Sequence, residues 1–294
     1  MATLNYATEY AGSLAQAYPY VLNFGALYNS ENDGRYRWVN AKTIEIPSIT
    51  TTGRVNGDRD TIVQAKRNYD NAWEMKTLSH HRKWSTLVHP MDIDETNMAA
   101  SISNITQVYN EEHKFPEMDA YTVSEIYRLW TEAENTADTT ELTAASVLSV
   151  FDKMMETMDE ARVPAKGRIL YVTPAVKTLI KNANQLSHVI GNGDTSIERS
   201  VADIDSVEIV AVPKDLMKTA YDFDEGWKAA ADAKQINMLL IHPSAVITPE
   251  KYTFARLDEP SAGSEGKYIY FEESYDGVFI LNKRMGGIAF NTEA

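Results

Sequence analysis

The chain has 294 residues, 44% of them hydrophobic and 24% charged, enough for one large domain or two lobes with a real core and too apolar for a disordered chain. Its net charge of −14 argues against wrapping nucleic acid as a basic protein would, though not against enclosing it. The absence of cysteine excludes disulfides, thiolate metal sites and a cysteine nucleophile, and fits assembly in a reducing cytoplasm.

Residues 1–34 are rich in Tyr and Ala without clean periodicity. No Lys or Arg precedes the apolar residues of the first twenty, so no signal peptide is expected, and no apolar run approaches the length of a membrane span. Tyr6, Tyr10, Tyr18, Tyr20, Phe24 and Tyr28 are spaced as anchors along an arm. Such an arm packs either on a partner or on its own domain.

The stretch from Arg35 to Trp84 reads as a two-armed β-excursion. Ile44 and Ile46 alternate in the first arm, Asn56-Gly57 supplies the tight turn, and Tyr69, Trp73, Met75 and Trp84 punctuate the return. It holds 10 Lys/Arg against 5 Asp/Glu, leaving 18 against 37 for the rest of the chain. A basic flap on an acidic body is suited to lying across an acidic neighbour, and so few aliphatics cannot make their own core. The other reading is a solvated surface hairpin with an excess of basic residues.

Asp94 or Thr96 is expected to cap a helix over 97–112, with Met98, Ile102, Ile105 and Val108 on one face. Pro116 is expected to interrupt it before a second helical pattern over 117–133. An α/β stretch follows: a helix over 142–161 with a Met face at 154, 155 and 158 that reads as core, a buried strand over 168–173, and a helix opened by Pro174. Two further buried strands are expected at 207–212 and 236–241, and the last fifty residues return to β-structure, with one strand running from Gly277 past Gly286-Gly287 to Phe290.

The order of these elements resembles the major capsid proteins of tailed bacteriophages, the Hong Kong 97-type fold. The phrases that carry the resemblance are RILYVTPAVKTLI at 168–180, SVEIVAVPKDLM at 206–217, INMLLIHPSAVITPEKYTFARLDEP at 236–260 and YDGVFILNKRMGGIAF at 275–290. The resemblance spans the chain and rests on the order and spacing of the phrases. It implies an α+β fold: N-terminal arm (1–34), extended β-hairpin loop (35–84), peripheral domain with a long spine helix (85–140), axial α/β domain (141–240) and a return to the peripheral domain (241–294). It implies a homo-oligomer of hexamers and pentamers in an icosahedral shell, with portal and scaffolding proteins as partners, enclosing double-stranded DNA without reading its sequence, in a virion assembled in the host bacterial cytoplasm. The chain starts directly at the arm, so any scaffold is expected to be a separate protein or already removed. Lys66 and Asn291 are of the types that crosslink in the type member, but no crosslink is expected here.

No catalysis, metal or cofactor is expected. His80, His81 and His89 beside Asp92 and Asp94 fit no zinc spacing. The runs Asp222–Gly226 and Asp92–Glu95 lack the later ligands of a calcium loop, and Gly191-Asn192-Gly193 lacks the Gly-Lys-Ser/Thr of a phosphate loop. The residues expected to contact neighbouring subunits are Tyr6, Tyr10, Arg54, Arg59, Lys66, Arg67, Trp73, Arg82, Lys83 and Trp84. Rival readings are an encapsulin-like nanocompartment shell, a cytoplasmic α/β enzyme with an unrecognised carboxylate site, and a tail or surface β-protein.

Overall fold

A computed structural model of the chain describes residues 20–28, 36–40, 42–54, 56, 67–96, 100–183 and 203–294. A single helical turn, α1 (Gly25–Tyr28), precedes a short strand, β1 (Arg37–Trp38), which pairs with β2 (Thr43–Thr51). Strand β2 and strand β3 (Tyr69–Thr77) form a long hairpin, and the chain then passes into β4 (His80–Val88) and α2 (Pro90–Glu95). Helix α3 (Ile102–Tyr109), a π-turn (Asn110–Lys114) and α4 (Phe115–Glu132) run on as one long helix. Next come α5 (Val147–Glu160), β5 (Ile169–Val172), α6 (Pro174–Lys181), β6 (Asp203–Ile204), β7 (Val207–Ala211), the pair β8 (Tyr221–Asp222) and β9 (Lys228–Ala229), and β10 (Ile236–Ile241). The chain ends with β11 (Val246–Ile247), β12 (Glu250–Asp258), β13 (Tyr268–Asp276), β14 (Phe279–Ile280) and β15 (Ile288–Thr292).

A five-stranded sheet of order β15-β10-β5-β7-β6 is the centre of the fold. Its two innermost strands, β10 and β5, carry apolar residues on both faces, as a doubly covered sheet requires. Leu170, Val172, Met238 and Leu240 point to one side, against Phe151, Met154 and Met158 of α5 and Val176 and Ile180 of α6. Ile169, Tyr171, Leu239 and Ile241 point to the other, against Ala120, Val123, Ile126 and Trp130 of α4. The long helix therefore packs on one face of the central sheet and α5 with α6 on the other. The core reading of Met154 and Met158 holds, both being buried.

Four expectations change. First, Pro116 does not interrupt the helix. The preceding turn widens so that the Phe115 N–H bonds to the Asn110 carbonyl, and Pro116 sits in the first turn of α4, where its missing N–H does least harm. Second, the helix is capped by the Ser101 hydroxyl, which accepts from the Asn104 N–H at 3.4 Å, while Thr96 closes α2.

Third, the hairpin ends at Thr77. Leu78 is buried with Ile44, Ile247 and Phe279, and β4 beyond it pairs along its whole length with β13 in a separate sheet of order β12-β13-β4. Fourth, the C-terminal stretch is not one strand. After β14 a 3₁₀ segment (Asn282–Gly287) carries the chain across to β15, which pairs with β10 in the central sheet. Gly286 allows this crossing: a Cβ there would lie 2.6 Å from the Cβ of Ala161 at the end of α5.

Candidate assembly surface

The hairpin register places Glu45 opposite Met75, Pro47 opposite Trp73, Ile49 opposite Asn71 and Thr51 opposite Tyr69, and these pairs share one face. Ile49, Tyr69, Trp73 and Met75 are 61%, 51%, 46% and 69% exposed, so among the described residues the large apolar side chains left in water on this hairpin lie in one strip. Burying such side chains is worth about 1.5–3 kcal/mol each, which makes the strip the candidate assembly surface of this chain. Cations frame it: the Arg37 guanidinium lies 4.5 Å from the Trp73 ring centre and that of Arg67 lies 5.3 Å from the Tyr69 ring centre.

The opposite face holds the hairpin to the body. Ile44 is buried, Asn282 Nδ2 donates to Glu74 Oε2 at 2.7 Å, and Lys283 Nζ donates to the Ile49 carbonyl. Between them is a cleft of about 290 Å³ lined in part by Tyr36, Ile46, Pro47 and Leu281.

A second uncovered face lies on the β12-β13-β4 sheet. Strand β4 alternates cleanly: His80, Arg82, Trp84 and Thr86 turn inward and His81, Lys83, Ser85 and Leu87 turn outward. The inward side is packed by the long helix. Trp84 stacks on Tyr109 with centroids 3.9 Å apart, His80 stacks on Tyr121 at 3.9 Å, and Lys114 pairs with Glu272 at 3.2 Å. The outward side exposes Leu87, Ile269 and Phe254, the last against Phe271 with ring centroids 6.1 Å apart.

Two carboxylates hold unusual environments at the joints. Buried Asp119 accepts from the Tyr20 hydroxyl at 2.5 Å, from the Asn23 side chain and N–H, and from the Phe24 N–H, so it fastens the chain before α1 to the long helix. Burial pushes its pKa up. Asp276 sits between Glu250 and His80 in register across three strands. Burial first, then the Glu250 charge, raises its pKa to about 6.

Of the residues singled out in the sequence, Arg54, Arg67 and Trp73 lie on the hairpin, the arginines exposed and Trp73 in the apolar strip. Tyr6, Tyr10, Arg59, Lys66, the Asn56-Gly57 turn past Asn56 and the loop at 191–194 lie outside the described residues. Arg82 and Trp84 are engaged within their own chain. Arg82 is held by its own chain, pairing with Glu117 at 2.5 Å and donating to the Phe223 carbonyl at 2.6 Å, and Trp84 is the Tyr109 partner. Lys83 is exposed but belongs to the second sheet, opposite Glu273.

His80, His81 and His89 diverge: His81 stacks on Tyr275 and pairs with Glu273, while His89 caps α2. Among the described residues no group of three His, Asp or Glu side chains converges as a metal site would. The strip on the hairpin was half visible in the sequence, through Trp73. The outward face of β4 and β13 was missed, although the alternation of Lys83, Ser85 and Leu87 carried the signal.

Neither a family model nor a curated protein sequence matches this chain. Solved structures do. The "asymmetric unit of bacteriophage PhiM1 mature capsid" aligns with a TM-score of 0.65 and 15% identity over 99% of this chain and 92% of that one. The "capsid structure of the cyanophage P-SCSP1u" aligns with 0.63 and 13% over 98% and 93%, and a chain from Mycobacterium phage Che8 with 0.62 and 15% over 99% and 98%. The chain is an α+β protein with the fold of phage capsid subunits along its full length.

Proposed function

We propose that this chain is the major capsid protein of a tailed double-stranded DNA bacteriophage, a structural subunit that self-assembles into an icosahedral head shell and performs no catalysis. The observation that carries this reading is the apolar strip of Ile49, Tyr69, Trp73 and Met75, exposed on the face of the hairpin turned away from the body, in a chain that aligns with a capsid subunit over 99% of its length. Such a strip is left uncovered by the monomer and is covered when the hairpin lies across a neighbouring copy. In a closed shell every subunit gives and receives the same contact, so a modest contact is multiplied until the rotation closes.

In this reading the Hong Kong 97-type parts fall as follows. Residues 1–34 form the arm, fastened at its root by Asp119. The hairpin of β2 and β3 is the extended loop, with Arg54, Arg59, Lys66 and Arg67 as its charged contacts and Trp73 as its anchor. The long helix and the β12-β13-β4 sheet form the peripheral part, and the central sheet with α5 and α6 the axial part. Hexamers and pentamers build the shell, portal and scaffolding proteins assist it, and the DNA inside is enclosed without sequence reading.

Light scattering and electron microscopy of purified material test this. Closed particles of megadalton mass containing DNA support it. Closed particles filled with a cargo protein would assign the nanocompartment reading, and a species of tens to hundreds of kilodaltons with an activity would assign the enzyme.

A further inference from the structure

The chain has no cysteine, so its readily oxidised sulfur is methionine. Among the described residues two methionines are open to water: Met75 on β3, 69% exposed, and Met91 on α2, 66% exposed. Met154, Met158, Met217 and Met238 are buried, and Met118, Met155 and Met285 are half-buried. We propose that Met75 is a methionine-oxidation site that turns the hairpin strip off as a contact surface. This deepens the assembly reading of the strip and rests on it.

The two open methionines sit in different places. Strand β3 alternates at its end, with Trp73 and Met75 turned to the open face and the less exposed Glu74 and Lys76 turned to the body. Met75 lies in the strip, two residues from Trp73 and opposite Glu45 on β2. Glu45 is bonded to Arg37 at 2.7 Å, and the Arg37 guanidinium lies over the Trp73 ring. Met91 is near the start of α2, outside the strip.

The oxidant is hydrogen peroxide. The thioether sulfur attacks one peroxide oxygen, a sulfur–oxygen bond forms as the O–O bond breaks, and the products are methionine sulfoxide and water. Sulfur gives up two electrons and the peroxide takes them. A thiol-dependent sulfoxide reductase reverses the change: two thiols become a disulfide, and thioether and water are released.

The effect on the strip follows from polarity. A thioether packs against aromatic and aliphatic groups. A sulfoxide oxygen is a strong acceptor, the residue opposite it is a carboxylate, also an acceptor, and Arg37 is already bonded to that carboxylate. In the free subunit the new oxygen is hydrated, so the fold tolerates it. Beneath a neighbouring copy it loses that water, which weakens the contact about tenfold or more. A shell repeats the loss at every subunit. Once the strip is covered, the sulfur is shielded from peroxide in turn, so Met75 reacts in free subunits and is spared in assembled ones.

The test treats unassembled full-length subunits with limiting hydrogen peroxide and lets them assemble. Shells are separated from leftover subunits by sedimentation, and peptide mass spectrometry reads the sulfoxide fraction at each methionine. Sulfoxide at Met75 should be about tenfold or more rarer in shells than in leftover subunits, whereas sulfoxide at Met91 should divide evenly between them. Peroxide added to finished shells should modify Met75 about tenfold or more slowly than it does in subunits. M75L removes the sulfur and keeps an apolar side chain, so the ratio of its treated to untreated shell yield should be about one, while M91L should stay as sensitive to peroxide as the parent. Equal Met75 sulfoxide in shells and leftover subunits, or equal exclusion of the Met75 and Met91 sulfoxides, overturns the proposal and leaves the shell reading standing. Untreated protein that forms no shells overturns both.

Discussion

Trp84 lies flat on Tyr109, centroids 3.9 Å apart and planes 8° from parallel, and this stack binds strand β4 to the long helix. Trp73, on the preceding strand, has no such partner among the described residues beyond the Arg37 guanidinium and stays 46% exposed. Two tryptophans of one basic, aromatic stretch therefore have different work. Trp84→Ala should lower the unfolding free energy by about 2–4 kcal/mol, as loss of a packed aromatic does. Trp73→Ala should stay within about 0.5 kcal/mol of the parent in denaturant titrations yet fail to assemble. Equal stability losses in both would mean that the hairpin strip is covered within the monomer.

Charge reversal separates the same two roles. Reversing Arg54, Arg59, Lys66 and Arg67 together should leave the thermal midpoint nearly unchanged and block assembly. Arg82→Glu should instead destabilise the monomer by about 2 kcal/mol or more, because it sets a second carboxylate against Glu117 and frees the loop at Phe223. Sedimentation and thermal melts, run on the same preparations, distinguish the outcomes.

Asp276 gives a pH signature. Its folded pKa, about 6, lies above the ordinary 3.8, so the folded chain holds a proton that the unfolded chain releases. The stabilisation is full below the ordinary value and is lost as pH rises through about 6. The groups around it are Glu250, His80 and Lys114, the first adding to the rise and the other two opposing it. Asp276→Asn removes the titration, so its stability relative to the parent should improve by about 2 kcal/mol between pH ~4 and ~8. A constant offset across that range in urea titrations would show that Asp276 ionises normally.

Gly286→Ala tests the crossing into β15. The added Cβ meets Ala161 at 2.6 Å, so either α5 or the 3₁₀ segment must shift, at about 1–3 kcal/mol. An unchanged melting temperature would mean that this contact yields freely.

The central strands β5, β7 and β10 were legible because a sheet covered on both faces writes itself as short, mostly apolar runs, interrupted here only by Glu208 in β7 and Asn237 in β10, and α5 because its apolar residues recur at helical spacing. The hairpin arms were legible from the alternation at Ile44 and Ile46. What escaped depends on partners distant in sequence. Strand β4 continues the composition of β3, and only its pairing with β13, His81 with Tyr275 and Leu87 with Ile269, assigns it to another sheet. Pro116 read as a break because a π-turn has no signature in apolar spacing. Nothing local in Ile288–Thr292 says that it joins β10 rather than continuing β14.

Mass and shape of the purified chain at neutral pH, by light scattering with electron microscopy, reach the main claim most directly. The account predicts closed shells of megadalton mass that fall to folded subunits when Trp73 and Met75 are both replaced by serine. A compact single molecule at high concentration, with the hairpin strip shielded from solvent by its own chain, would contradict it.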